Sequence, residues 1–276
     1  QIFRPFLEVY APTSNRLEIV EGLDGHGVTV GNMFDSEGRR LTTEERAALA
    51  SCSLDETRAA EIVSEYWGQY VLVRRTAGDV AILRDPSGAV EAVCWRKDGV
   101  GVIAPYAPPA LDSLLPDDIA IDWVAMRQLL ARGGSYRHDL ALTGFKPVAA
   151  GALATHGPAG MRCRQIWQPS EIYRSAKGRP KPDLRAVVDR TVRALAGDRA
   201  WVVEISGGLD SAVVAGALMP HQRARVTQWV NHFVDDPEGD ERGFARPVVE
   251  RHGYSLTEVA RQGLTLSAAR LAQSAD

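Results

Sequence analysis

Long apolar stretches are missing from this sequence. No hydrophobic run approaches the roughly 20 residues that a membrane span requires, so no membrane partner is expected. The opening, Gln1 to Tyr10, also lacks the basic segment and apolar core of a secretory signal, which makes the cytoplasm the expected location. Cysteine is scarce: Cys52, Cys94 and Cys163 are far apart with no CxxC pairing, so neither a disulfide framework nor a zinc site is expected, and small buried thiols are. The histidines (His26, His138, His156, His221, His232, His252) show no HxxH or HExxH spacing, which removes the sequence case for a metal held by imidazoles. There is no GxxxxGK[ST] string, and the only lysines are Lys97, Lys146, Lys177 and Lys181, so Walker-type transfer of a γ-phosphate is not expected. With net charge -3, a pI of about 6.1 and no basic stripe beyond Lys177 to Lys181, nucleic acid is not an expected partner.

What is present reads as a soluble globular protein: 276 residues, 45% hydrophobic and 24% charged, enough for two domains of ordinary size. The first part is rich in short β-type segments, namely Phe6 to Tyr10, Gly27 to Met33, Gln69 to Arg74, Val80 to Asp85, Ala89 to Trp95 and Val100 to Ala104. Arg84-Asp85-Pro86-Ser87-Gly88 has the chemistry of a tight turn, which predicts an antiparallel hairpin between the segments flanking it. Thr43 to Leu49 and Asp122 to Arg132 read as helices, the second with Val124, Leu129 and Leu130 near one face. The six tryptophans are scattered singly and are expected to pack in cores rather than stack on bases. An α+β domain built on an antiparallel sheet follows for residues 1–174.

Between Gln168 and Asp183 the periodicity fails and prolines gather with basic residues, the composition of a connection between domains. Residues 175–276 then alternate. A helix runs from Leu184, with Asp183 as N-cap and Gly197 as stop; Trp201 to Ile205 is a strand; Ser211 to Met219 is a helix that halts before Pro220. Arg225 to Phe233, Asp240 to His252 and Ser255 to Val259 continue as strand, helix and strand. Such alternation predicts an α/β domain with a doubly wound parallel sheet.

The chemistry concentrates at Ser206-Gly207-Gly208-Leu209-Asp210-Ser211, between a strand and a helix. Two glycines let backbone N–H groups approach phosphate oxygens without a Cβ in the way. The helix that follows offers unpaired N–H groups and its positive dipole end to the same anion. Ser206 and Ser211 add hydroxyls, and Asp210 supplies the hard oxygen wanted by magnesium bound to a triphosphate. Valine at 208 is expected to block that approach and to strain the turn. Asp240 and Glu241, an acidic pair opening a helical stretch, are expected to serve the helix N-terminus before any ligand, and Pro247 to kink that helix or delay its start.

This string, with Asp236-Pro237-Glu238-Gly239-Asp240-Glu241-Arg242 and Ala245-Arg246 some thirty residues later, resembles the asparagine synthetase-like ATP pyrophosphatases. Gly68-Gln69-Tyr70 and Leu83-Arg84-Asp85-Pro86-Ser87-Gly88 resemble the class II glutamine amidotransferase-like domain that precedes the synthetase domain in that family. The resemblance implies an ATP-pyrophosphatase domain that binds ATP and Mg2+ through Ser206, Gly207, Gly208, Leu209, Asp210 and Ser211, with Asp210 on the metal. It also lays Val230 and Asn231 against adenine.

Glutamine-hydrolysing members of the family open on a cysteine, where this chain has Gln1, and no glutaminase-type arginine or Asn-Gly-Glu loop is found. The front domain is therefore expected to be degenerate, as in lasso peptide macrolactam cyclases and β-lactam synthetases, and its poverty in catalytic residues is more like the cyclases. Family members continue past the third strand, so the catalytic residues are expected beyond Asp276. The implied reaction activates an Asp or Glu side chain of a precursor peptide as its AMP anhydride and closes an isopeptide bond with the peptide's own amine, releasing AMP and pyrophosphate. A leader peptidase and a leader-binding protein would be partners. Asparagine synthetase, β-lactam synthetase and a non-catalytic ATP-binding or peptide-binding module remain open.

Overall fold

The computed structural model describes residues 2–4, 7–9, 17–76, 78–105, 109–131, 140–234 and 236–261. The chain forms two compact units, Gln1–Pro180 and Lys181–Asp276.

In the first unit the order is β1 (Ile2–Arg4), β2 (Leu7–Val9), β3 (Ile19–Glu21), β4 (Gly27–Phe34), α1 (Thr43–Ser51), α2 (Glu56–Glu65), β5 (Trp67–Arg75), β6 (Val80–Arg84), β7 (Val93–Lys97), β8 (Val100–Ala104), α3 (Trp123–Ala131), β9 (Lys146–Pro147), β10 (Ala152–Gly157), β11 (Gly160–Gln165) and α4 (Pro169–Ser175). Strands β11-β10-β6-β5-β4-β3 make an antiparallel sheet, and β8-β7-β9 a second one. Alternation along β5 sorts the two faces of the large sheet. Tyr70 and Leu72 pack with Leu49, Ala59 and Ile62 of the helices, whereas Val71 and Val73 pack with Ala92, Cys94 and Val148. The large sheet is thus sandwiched between helices and the small sheet.

Helix α1 begins in a capping box: the Thr42 hydroxyl accepts from the Glu45 amide, and the Glu45 carboxylate accepts from the Thr42 amide. The hairpin predicted through Arg84 to Gly88 does not form. β6 pairs with β5 and β10, and β7 with β8 and β9, so this turn carries the chain from one sheet to the other. Buried charge explains the corner. Arg84, 6% exposed, donates to the carbonyls of Gly88, Val90 and Val148. Asp85, fully buried, accepts from the amides of Tyr70 and Ser87. Within the segment Ala89 to Trp95 the Val90 carbonyl is taken by Arg84, and strand pairing begins only at Val93, with β8 and β9.

Three further expectations change. Helix α3 forms where it is expected, but it buries no residue, and its Trp123, expected like the other tryptophans to pack in a core, is exposed. Of the thiols only Cys94 is buried; Cys163 is exposed and Cys52 lies between. Helix α4 occupies part of the stretch expected to be irregular.

The second unit runs α5 (Leu184–Ala196), β12 (Trp201–Glu204), α6 (Leu209–Gln222), β13 (Val226–Phe233), α7 (Arg242–Arg251) and β14 (Leu256–Ala260). Asp183 caps α5 by accepting from the amides of Arg185 and Ala186, and Gly197 closes it at φ +55°. The strands form a parallel sheet in the order β12-β13-β14. That is winding in one direction; the reversal of strand order that defines a doubly wound sheet is not among the described residues. One face packs Val203, Trp229 and Leu256 with Ala215, Leu218 and Met219 of α6 and Ala245 and Val249 of α7. Helix α6 does not stop before Pro220 but passes through it. The carbonyl left without a donor is that of Gly216, an exposed residue, while Ala217, Leu218 and Met219 are buried and hold the turn. Pro247 is carried inside α7 in the same way, and that helix starts at Arg242.

Candidate functional site

Strand β12 delivers the chain through Ile205 and Ser206 into the glycine pair, and α6 starts at Leu209. Gly207 stands at φ +104°, a left-handed conformation. A Cβ added there would lie 2.6 Å from the Glu241 carbonyl oxygen and 2.7 Å from its Cβ, so residue 207 is glycine for conformation and for space. At Gly208, by contrast, φ is -75°, and an added Cβ would meet only the Ser206 Oγ at 3.4 Å. The turn strain expected at 208 belongs to 207. This geometry also brings the two motif blocks into contact, since Glu241 lies against the loop.

Both serines fold inward on the turn. Ser206 Oγ accepts from the Gly208 amide at 3.2 Å and lies 3.1 Å from Ser211 Oγ, which donates to the Gly208 carbonyl at 3.1 Å and accepts from the Ser206 amide at 3.3 Å. Helix α6 carries no side-chain cap, so the amides of its first turn are open to an anion at the positive end of the helix. Asp210 projects from that turn, exposed and with no protein partner among the described residues.

Val230 and Asn231 lie on β13 beside the loop. The Val230 carbonyl accepts from the Ile205 amide at 2.9 Å. Asn231 is 2% exposed, and its Nδ2 donates to the Ile205 carbonyl at 2.6 Å and weakly to that of Ser206 at 3.4 Å; its Oδ1 has no partner among the described residues. The amide thus props the loop from below.

Around the second block, Asp240 takes both guanidinium arms of Arg242, at 2.8 and 2.7 Å, and also accepts from the Arg242 amide, which lowers its pKa to about 2. Asp240 thereby serves the N-terminus of α7 as expected, while Glu241 makes no cap bond. The Arg242 guanidinium lies 3.7 Å from the centre of the Phe233 ring, and Glu258 on β14 accepts from Arg246 at 2.6 and 3.0 Å. Sequence reasoning missed this network, and also the pair formed by Glu204 and His232, whose Oε1 and Nδ1 are 2.8 Å apart. Glu204, an acid at the end of the apolar run Trp201 to Val203, was the available signal.

A metal-bound triphosphate fits these residues. Magnesium keeps waters and phosphate oxygens and asks the protein for one or two carboxylates, which Asp210 meets. Among the described residues no group of three or more His, Cys, Asp or Glu could hold a metal without that help.

Residues 183–269 match the asparagine synthase family, with 262–269 outside the described residues. The match supports an asparagine synthetase-like, ATP-dependent ligase over that segment. No curated protein matches the chain. Among solved structures, glutamine phosphoribosylpyrophosphate amidotransferase from B. subtilis, complexed with ADP and GMP, is 13% identical over 93% of this chain and 52% of its own, with a TM-score of 0.31. A structure described as the allosteric regulatory enzyme of purine biosynthesis is 14% identical over 93% and 51%, with a TM-score of 0.30. Likeness of that size does not establish a shared fold, and the chain spans about half the length of both. The described residues contain no helix long and apolar enough to cross a membrane.

Proposed function

We propose that the chain belongs to a peptide macrolactam-forming ligase, in which the unit of residues 175–276 binds ATP as a substrate with Mg2+ and that of residues 1–174 is an amidotransferase-like domain without glutaminase chemistry. The observation that carries the reading is the loop: Gly207 in a left-handed conformation, two inward serines, and an uncapped helix start beside Asp210, which has no partner among the described residues. The open amides of α6 would hold the departing pyrophosphate, and Asp210 would hold the magnesium that spreads its charge. Asn231 keeps the loop carbonyls turned away from the anion. Adenylation makes an inert carboxylate into an acyl group with a good leaving group, and the protein's remaining task is to hold the amine in range. The Cys94 thiol supports a silent first unit, because burial pushes its pKa up to about 12 and keeps it from acting as a thiolate nucleophile.

The substrate proposed is a precursor peptide with a free α-amine and an internal Asp or Glu, delivered by a leader peptidase and a leader-binding protein, with the sheet of the second unit completed as a doubly wound one. Nucleotide chromatography beside peptide mass spectrometry tests this. AMP with pyrophosphate, and a peptide lighter by one water, are expected. ADP with phosphate rejects the loop assignment; AMP with an unaltered peptide, and asparagine from added aspartate, rejects the cyclase in favour of asparagine synthetase.

A further inference from the structure

We infer that His232, oriented by Glu204, is the base that takes the proton from the attacking amine when the amide bond forms. The inference rests on the ligase reading above. Glu204 pairs with Val230 across the parallel ladder, so its side chain shares a face with those of Val230 and His232. Its Oε1 meets His232 Nδ1 at 2.8 Å, and the imidazole Nε2 has no partner among the described residues. A carboxylate on Nδ1 fixes the tautomer with the proton on that nitrogen, leaving the Nε2 lone pair facing outward to accept one. Both side chains reach solvent, at 38% for His232 and 54% for Glu204. The other elements bordering the pair contribute Arg261, whose guanidinium is 3.6 Å from Glu204 Oε1, and the apolar Val259, paired with His232 on β14.

Placement gives the pair its meaning. In open parallel sheets ligands bind beyond the carboxyl ends of the strands. Glu204 closes β12 and His232 stands next to last on β13, two residues before Ser206 and one after Asn231, so the ladder and the Asn231 bond to the loop fix the dyad relative to the anion cradle. As an exposed hydrogen-bonded pair it would add little stability. No other imidazole lies on these strands, and the loop serines are occupied with each other.

In the step assigned, a neutral amine nitrogen gives its lone pair to the activated carboxyl carbon. The bond from that carbon to the AMP oxygen breaks, AMP leaves with the electron pair, and the proton lost by nitrogen passes to His232 Nε2. Glu204 is a positioning residue that steadies the imidazolium.

The test uses the complete enzyme to which this chain belongs, with ATP, Mg2+ and a linear peptide bearing a free α-amine and an internal aspartate. Exchange of labelled pyrophosphate into ATP reports activation. Hydroxylamine, a weakly basic nucleophile that needs no base, reports the activated carboxyl as a hydroxamate. For His232→Asn we expect exchange and hydroxamate within twofold of wild type and ring closure down about 10²- to 10⁴-fold; Glu204→Gln should lower closure about 10-fold and move its pH profile. Nitrogen-15 NMR of the protein alone should find the His232 proton on Nδ1. Closure within twofold of wild type, exchange lost together with closure, or the proton on Nε2 would each overturn the assignment. A wild-type protein without exchange or hydroxamate instead overturns the ligase reading, and the base role with it.

Discussion

The two units spend their charged side chains differently. In the first, Arg84, Asp85 and Arg46 are buried and each bonds backbone: Arg84 three carbonyls beside the Glu91 carboxylate, Asp85 two amides, and Arg46 of α1, 1% exposed, the Glu18 carbonyl beside the Thr29 hydroxyl and the Glu18 carboxylate. In the second, Glu204, His232, Asp240, Arg242, Arg246 and Glu258 are partly exposed and crowd the carboxyl ends of the parallel strands, where Asn231 is the buried polar side chain. Buried charge that bonds backbone fixes shape. Charge held at a sheet edge stays available to a ligand.

The sharpest way to break this contrast is Arg84→Met. It leaves three carbonyls without their donor, so the first unit should lose about 3 to 5 kcal/mol in urea unfolding followed by tryptophan fluorescence. A loss under about 1 kcal/mol would mean the buried arginine does not shape the corner. Next comes Gly207→Ala, where the left-handed backbone and the contact with Glu241 should destabilise the second unit by about 1 to 3 kcal/mol. Gly208→Ala should leave thermal stability intact and weaken only ATP binding. Equal stability of the two variants would refute the placing of strain at 207.

Asp210→Ala should weaken Mg-ATP binding in calorimetry by about tenfold, or 1.4 kcal/mol, with no change in unfolding midpoint. Unchanged affinity would take Asp210 off the metal. The smallest effect is expected at Asp24, whose pKa the Arg74 guanidinium lowers from 3.8 to about 2. That pair stabilises fully above the range of an unfolded aspartate and loses its contribution as pH falls toward 2. Being partly exposed, it should be worth about 0.5 kcal/mol, and Asp24→Asn should flatten acid unfolding of the first unit by that amount.

Local signals were legible where they act alone. The Asp183 cap, the Gly197 stop, the acidic start of α1 and the strand before Ser206 all appear where residue chemistry puts them. The misses share a cause in tertiary contacts. Arg84 looks like a turn residue until the carbonyls it binds at Val90 and Val148 are known, and Pro220 looks like a stop until the buried residues before it are seen to hold the helix. Helix α2 was missed although Asp55 caps it, since its apolar positions are few. The support that Asn231 gives the loop depends on strand pairing that one sequence does not display.

The atoms of Glu241 nearest the Cβ position of residue 207 are its backbone oxygen, Cβ and carbonyl carbon. Any residue with a Cβ preserves this contact, so it leaves its mark on the sequence at 207 and almost none at 241. Position 241 is therefore a natural mount for a reporter. A small fluorophore on a cysteine placed there would sit against the loop without replacing a side-chain bond, and its emission would follow nucleotide arrival in real time.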